Sequence, residues 1–201
     1  MRGIDKALLA GSVVLVLAGA GVFALLAFQS HRFSELHRSG NYTDAMRLAR
    51  RNLTIFERVL GAENVLVYAW LSNLALVYHA QGRYAEAEPI YKRALAIAEK
   101  ALGSDHPNVG ASLGSLALLY LVQGRYAEAE PLFKRTIAIF EKALGPDHPD
   151  VADSLNGLAL LYFAQRDWAR AGEFLRSGTG VIVRRAQRGT DDVGQSLTGK
   201  R

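Results

Sequence analysis

Two histidines, each preceded by an aspartate, recur at a spacing of 42 residues and are the first candidates for chemistry. They are His106 and His148, which follow Asp105 and Asp147. A shared metal ion would need bonds of about 2.0–2.1 Å, whereas packed neighbouring helices lie about 8–10 Å apart. We therefore interpret each Asp-His pair as a loop motif in which the aspartate caps a helix. We expect no metal site.

Paired carboxylates recur at the same spacing, but each lies near basic side chains. Glu86 and Glu88 have Arg83 and Lys92 close by in sequence, and the pattern returns 42 residues later. Such pairs are typical of a solvated helix face and not of an acid–base dyad. The chain has no cysteine, and it lacks a glycine-rich phosphate loop and a nucleophile elbow. We predict that it is not an enzyme and that it binds no cofactor.

The common spacing reflects an internal repeat. Residues 82–123 and 124–165 are identical at 29 of 42 aligned positions without a gap. A repeat of this length predicts stacked supersecondary units, none of which buries its apolar face alone. Within each unit, two segments have apolar residues at a period near 3.6, which is typical of helices, and a glycine separates them. The sequence therefore predicts an all-α solenoid of helical hairpins.

The repeat positions resemble the tetratricopeptide repeat (TPR), in the 42-residue form of kinesin light chains that is widespread in bacterial proteins. That family places a large residue, Leu, a small residue and Tyr on the first helix, then Gly, Tyr and Ala at the turn and on the second helix. In one unit these positions hold Leu71, Leu74, Ala75, Tyr78, Gly82, Tyr84, Ala87, Tyr91 and Ala94. The resemblance covers residues 31–176, with units near 40–81, 82–123 and 124–165 and a partial unit at 166–186.

The resemblance also implies a partner-binding site, because first helices of the family line a concave groove that binds peptides. The groove positions are Ser72, Asn73, Leu76, His79, Ser115, Leu118, Leu121, Asn156, Leu160 and Phe163. Relatives often carry paired asparagines that clamp the partner's backbone, and this chain keeps only Asn73 and Asn156. The leucines form either an exposed apolar stripe for a helix or extended peptide or a core buried between units. The sequence leaves both alternatives open.

An uncharged run of 22 residues, 7–28, follows a short basic flank, 1–6. As a helix this run would span about 33 Å, enough for a hydrocarbon core of about 30 Å. We predict an uncleaved transmembrane anchor in a bacterial inner membrane, with the rest of the chain in the periplasm. Cleavage after Ala20 is the alternative, and it would release a soluble exported TPR protein.

The C-terminal end of the repeat has no polar capping helix in the sequence. We expect Gly178 and Gly180 to interrupt the last helix and residues 187–201 to form a disordered tail. Since solenoids usually end in a capping unit, three alternatives remain. A partner covers this end, the protein self-associates there, or the chain is the recruiting front part of a longer enzyme with a caspase-like domain.

The charge is distributed unevenly along the chain. Net charge is +3 in residues 1–81, zero in 82–123, −2 in 124–165 and +4 in 166–201. A nucleic-acid-binding protein concentrates positive charge on a folded face, whereas the folded middle of this chain is neutral to acidic. We therefore predict a membrane-anchored scaffold with a protein or peptide partner and no nucleic-acid partner.

Overall fold

The structure, a computed structural model, describes the backbone of residues 20–198 and the side chains of residues 27–188. The part it describes is all-helical, which confirms the predicted all-α solenoid but not the predicted transmembrane helix before it. The helices are α1 (Ala20–Arg38), α2 (Tyr42–Leu60), α3 (Val65–Ala80), α4 (Tyr84–Leu102), α5 (Pro107–Val122), α6 (Tyr126–Leu144), α7 (Pro149–Ala164) and α8 (Trp168–Thr198). The described chain divides between Arg51 and Asn52 into two compact units, which we call the first and the second unit.

The described part of the first unit contains α1 and the first half of α2. Phe33, Ala45 and Ala49 are its buried apolar residues. The imidazole of His37 lies between two aromatic rings, with its centroid 6.0 Å from that of Phe33 and 5.6 Å from that of Tyr42. Aromatic and alanine side chains therefore form the core of this small unit.

The second unit contains three helical hairpins, α3–α4, α5–α6 and α7–α8. The two helices of each hairpin pack together, and α4 and α6 also pack against the first helix of the next hairpin. Phe140, Val151, Ala152 and Val181 form one buried cluster that joins α6, α7 and α8. Because consecutive hairpins contribute to the same cluster, no hairpin buries its apolar surface alone.

The first helices of the second unit begin at capped ends: Asn64 caps α3, whereas histidine provides the cap of α5 and α7. The Nδ1 atom of His106 accepts a hydrogen bond from the backbone N–H of Asn108 at 3.1 Å, and Nδ1 of His148 accepts one from Asp150 at 3.3 Å. Both histidines have extended backbone and precede a proline at the start of the helix. This is N-cap geometry, with a ring nitrogen in place of the usual side-chain oxygen.

The prediction that Asp105 and Asp147 cap these helices is wrong, because both lie one residue too early. Their carboxylates instead pair with basic side chains at the far end of the same hairpin. Asp105 binds Lys142, and Asp147 binds Arg184 and Arg188. Each aspartate thus ties the loop before a first helix to the later part of the second helix.

The turn inside each hairpin needs a left-handed backbone. Gly82 and Gly124 have φ values of +72° and +74°, and Arg166, at the equivalent position of the last hairpin, has +62°. There the N–H of Asp167 donates to the carbonyl of Tyr162 at 2.9 Å, closing the same turn as in the other hairpins. A residue with a Cβ atom in this conformation costs about 1–2 kcal/mol.

Arg166→Gly is therefore expected to raise the free energy of unfolding by about 1 kcal/mol, since glycine adopts this backbone without strain but loses more entropy on folding. The reciprocal variant Gly124→Arg should lower it by a similar amount. Urea titrations followed by circular dichroism measure both changes. Lower stability of Arg166→Gly would contradict the assignment of strain to this turn.

The predicted interruption of the last helix is wrong. Helix α8 continues through Gly178 and Gly180 without a break. A Cβ atom at Gly178 would lie 2.8 Å from Oδ1 of Asn156 and 3.3 Å from the carbonyl oxygen of Ala152. This glycine therefore allows α8 to approach α7 closely, and it does not act as a helix breaker.

Both ends of the described chain bear on the predictions for the termini. Among residues 20–198, no helix combines the length and the apolarity needed to cross a membrane. The predicted transmembrane segment lies outside the described residues as far as residue 19, and residues 20–28 begin α1.

At the C-terminal end, α8 extends over residues 187–198 of the segment predicted to be disordered, and residues 199–201 lie outside the described part.

The carboxylate of Glu88, in α4, contacts side chains of its own hairpin and of the next one. It accepts hydrogen bonds from Nη1 of Arg125 at 2.6 Å, from Nζ of Lys92 at 2.7 Å and from the hydroxyl of Tyr120 at 3.1 Å. The guanidinium of Arg125 also lies 4.0 Å from the centroid of the Tyr120 ring. The hydrogen bonds from Arg125, then Lys92 and Tyr120, lower the pKa of Glu88 to about 2.

Glu88→Gln is expected to destabilise the protein by about 1–2 kcal/mol at pH 7, because it weakens charge-assisted hydrogen bonds between hairpins. Glu130→Gln is the matched control and should cost less. Glu130 binds Lys134 and Tyr162. The residue equivalent to Arg125, 42 positions later, is Asp167, so no arginine at this position can bind Glu130. Urea titrations of both variants compare the two costs.

The stabilisation that Glu88 provides depends on pH, because the pKa of Glu88 is lowered in the folded chain. Since the pKa of Glu88 lies below its ordinary value of 4.5, the stabilisation is present above pH 4.5 and is lost as the pH falls towards 2. The wild-type chain should therefore lose more stability across this window than Glu88→Gln. Equal losses would contradict the role assigned to Glu88.

Candidate functional site

Each first helix of the second unit leaves one narrow face exposed. In α5 the exposed residues beyond the first turn are Ala111, Leu118 and Val122. Spacings of seven and then four residues place side chains on one face of a helix. The equivalent exposed positions are Ala69, Leu76 and Ala80 in α3, and Asp153, Leu160 and Ala164 in α7. The same face is therefore exposed on three successive first helices.

Large apolar side chains occupy this face, and four of them were predicted to line the groove. Leu76, Leu118 and Leu160 are 38%, 42% and 56% exposed, and Phe163 is 58% exposed. These values exclude the alternative in which the leucines are core residues buried between units. We call these four residues the apolar stripe. Contiguous exposed apolar patches are typical of interaction surfaces, so the apolar stripe is the candidate binding site.

Two exposed residues beside the apolar stripe were missed by the sequence analysis. The ring of Trp168 meets that of Phe163 edge to face, with 5.0 Å between centroids and an interplanar angle of 81°. Val122 is exposed one turn beyond Leu118. The four-residue spacing from Leu118 is a signal that could have identified Val122. No such signal marks Trp168, because its repeat equivalent, Tyr126, is half-buried.

The polar residues of the predicted groove have other surroundings. Asn156 is half-buried, and its Oδ1 atom lies against the backbone of α8 beside Gly178. The hydroxyl of Ser115 donates to the carbonyl of Ala111 in its own helix at 2.9 Å. Ser72 and Asn73 are half-buried in α3. Asn73 and Asn156 lie on helices that α5 separates, so the structure does not bring them together as a clamp.

His79 and Leu121 stand at the repeat position of Phe163 but are half-buried. The ring of His79 lies 5.4 Å from that of Tyr84, and its Nε2 atom is buried without a hydrogen-bond partner in the described part of the chain. This burial lowers the pKa of His79, which favours the neutral imidazole. Because His79 is half-buried and neutral, Asp153 is the only charged residue among the exposed positions of α3, α5 and α7 beyond their first turns.

The candidate metal ligands have structural roles. His106 and His148 cap α5 and α7 through their Nδ1 atoms. Within residues 20–198, no three His, Asp or Glu side chains gather in a group that could hold a metal ion.

Comparison with known proteins assigns the family. A tetratricopeptide-repeat model matches residues 66–142 and 113–179, which together exceed half of the chain. The chain belongs to the tetratricopeptide-repeat family. A second tetratricopeptide-repeat model matches residues 35–65. TPR repeats generally mediate protein–protein interactions. No curated protein is significantly similar in sequence to this TPR chain.

Solved structures share the TPR fold. The crystal structure of BtubC (BKLC) from P. vanneervenii is 22% identical, with a TM-score of 0.74 over 90% of this chain and 69% of that one. Two crystal structures of a Podosopora anserina putative kinesin light chain with nearly identical TPR-like repeats are also similar. One is 29% identical, with a TM-score of 0.66 over 81% of this chain and 76% of that one. The other is 30% identical, with a TM-score of 0.62 over 79% and 75%. The predicted resemblance to kinesin-light-chain-type repeats is confirmed.

Proposed function

We propose that this chain is a membrane-anchored, non-enzymatic scaffold that captures a peptide or helix of another protein on the apolar stripe. One observation carries the proposal. Leu76, Leu118 and Leu160 are exposed at equivalent positions of three successive first helices, and Phe163 extends their surface. Relatives of this family present the corresponding helices along a concave groove, which is where we place the partner.

The spacing of the leucines defines the partner's anchors. Packed helices lie about 10 Å apart, so we place equivalent residues of successive hairpins at about this distance. An extended peptide advances about 3.3 Å per residue, and a helix advances 1.5 Å. The partner therefore carries apolar residues about three positions apart if it is extended and about seven positions apart if it is helical.

The near absence of charge on this surface predicts how binding depends on salt. Burying an exposed leucine contributes about 1.5–3 kcal/mol, and this term is not screened by ions as surface charge pairs are. A protein partner captured by the immobilised full chain should stay bound when salt rises from about 50 to 200 mM, whereas phosphate-dependent binding would fall about 1,000-fold or more. Release over this range would contradict an apolar site.

The membrane part of the proposal is supported by the uncharged residues 7–28. It is also supported by α1, which continues from Ala20, inside that run, to Arg38 without a break. We place the anchor in a bacterial inner membrane and the repeats in the periplasm. Membrane fractionation combined with N-terminal sequencing tests this. Recovery in the membrane pellet with Met1 intact supports the anchor, and a soluble chain that starts at Gly21 would overturn it.

A further inference from the structure

The second helix of each hairpin has a face that packs against the next hairpin, and in α8 this face is uncovered within the part of the chain that the structure describes. Phe133 and Phe140 of α6 are 2% and 6% exposed. Leu175 and Ile182, which follow them by 42 residues, are 50% and 57% exposed. The exposed face of α8 is therefore the continuation of an interface that is buried in the preceding hairpins.

The residues on this face, of which all but the half-buried Gly172 are exposed, follow a heptad pattern. We define the α8 seam as Trp168, Gly172, Leu175, Thr179, Ile182 and Ala186. Their spacing alternates between four and three residues, which is the spacing of a helix–helix seam. Large and small side chains alternate strictly along it. From end to end the seam is about 27 Å long.

We propose that the α8 seam is a homodimer interface. The α8 helix of a second copy packs antiparallel on the seam, and the two-fold axis crosses it midway between Leu175 and Thr179, at the level of Ser177. A two-fold interface requires that residue i meets j while j meets i. When the two-fold axis crosses the seam at the level of Ser177, which itself lies on the opposite side of α8, every large residue of the seam meets a small one. The pairs are Trp168 with Ala186, Leu175 with Thr179, and Ile182 with Gly172. The seam is therefore complementary in volume to itself.

End-to-end stacking of copies lacks such complementarity. The exposed side chains described in α1 are mostly polar or charged: Ala27, Phe28, Ser30, His31, Arg32, Glu35 and Arg38. A helix of this kind offers little apolar surface to Leu175 and Ile182. The inference goes beyond the proposed function, because the seam lies on α8 and the apolar stripe lies on the first helices. The two surfaces meet at the ring contact between Trp168 and Phe163.

The symmetry also predicts an unusual response to salt. Arg176 is exposed beside the seam and comes close to Arg176 of the second copy, next to the two-fold axis. Like charges at this position repel each other, and added salt screens them. Raising the salt concentration should therefore strengthen the dimer, whereas an interface held by opposite charges would weaken.

Cross-linking between differently labelled copies tests the register directly, because the chain contains no cysteine. Full-length Gly172→Cys and Ile182→Cys chains, mixed in mild detergent and gently oxidised, should form a disulfide-linked heterodimer. Neither variant alone should cross-link, since its two cysteines lie about 15 Å apart along the axis. Gly172→Cys mixed with Leu175→Cys is the control and should not react. Cross-linking of each variant with itself would indicate parallel packing and overturn the proposal.

Sedimentation of the full chain provides the second test. Leu175→Glu together with Ile182→Glu should raise the dimer Kd at least about 100-fold. Both residues are exposed, so the far-ultraviolet circular dichroism should not change. Leu118→Glu with Leu160→Glu should leave the dimer intact. A wild-type chain that sediments as a monomer throughout the micromolar range would overturn the proposal.

Discussion

Gly157→Ala is expected to lower the free energy of unfolding by about 1–2 kcal/mol. A Cβ atom at Gly157, in α7, would lie 2.4 Å from Cε1 and 2.8 Å from Cζ of Phe133. The ring of Phe133 is 2% exposed, so it cannot move aside without disturbing α6. Overpacking of this kind costs about 1–3 kcal/mol, which outweighs the gain of about 1 kcal/mol in helix propensity.

Gly114→Ala is the matched control, because Gly114 is also inside a first helix. A Cβ atom there would lie 3.4 Å from Cγ2 of Thr136, an ordinary contact. The equivalent positions of the other hairpins hold Ser72 and Asn156. This variant should be more stable than the wild type by about 0.5–1 kcal/mol.

A second substitution identifies the source of the cost. In the Gly157→Ala background, Phe133→Leu should be less destabilising than it is alone, because the smaller side chain makes room for the new methyl group. Urea titrations of the four members of this cycle give the coupling. Additive changes, or a Gly157→Ala chain as stable as the wild type, would contradict the packing of α6 against α7 at this glycine.

Leu118→Glu together with Leu160→Glu is expected to abolish partner capture and to leave helicity unchanged. Each leucine contributes about 1.5–3 kcal/mol when a partner buries it, so their joint loss weakens binding at least about 100-fold. Both side chains are exposed in the free chain, and a carboxylate there stays solvated. Circular dichroism and a binding titration measure the two effects.

Ala96→Glu with Ala138→Glu is the control for added charge. These alanines are exposed on α4 and α6 and also stand 42 residues apart, so the control adds the same charges on second helices. It should bind the partner as the wild type does. Equal loss of binding in both double variants would show that charge, and not the apolar stripe, decides capture.

Features that depend on local sequence were predictable. Gly82 and Gly124 end first helices where the sequence places them, because the left-handed turn needs glycine. The caps were not predictable, because aspartate is a preferred cap residue, and only the backbone geometry places His106 and not Asp105 at the cap position. Asp105 instead pairs with Lys142, 37 residues later, a contact that no local pattern reveals.

Packing between helices explains the other differences. A Cβ atom at Gly110 would lie 2.8 Å from Cε1 of Phe140. One repeat earlier, Tyr68 stands in place of this glycine and Ala98 in place of the phenylalanine. Large and small residues thus exchange places between facing helices. Gly178 is explained in the same way, because its missing side chain makes room for Asn156 of α7. The sequence around Gly178 does not reveal this contact and indicates only a helix breaker.

Exposure of the leucines also depended on packing. The 3.6-residue period places Leu74 and Leu76 in the same helix, but it does not say how much of each the neighbouring hairpins cover. The structure buries Leu74 and leaves Leu76 exposed. The positions of these leucines on the first helices therefore followed from the resemblance to the TPR family, and their exposure did not.

Site-specific photo-cross-linking tests most directly whether the first helices bind a partner. A photoreactive residue at Leu118 in the full chain, expressed in intact cells, should cross-link to a protein partner. The same residue at Ala138, which is exposed on α6, should give no such product. Leu160→Glu should remove the product at Leu118. A partner that cross-links at Ala138 and not at Leu118 would contradict the central claim.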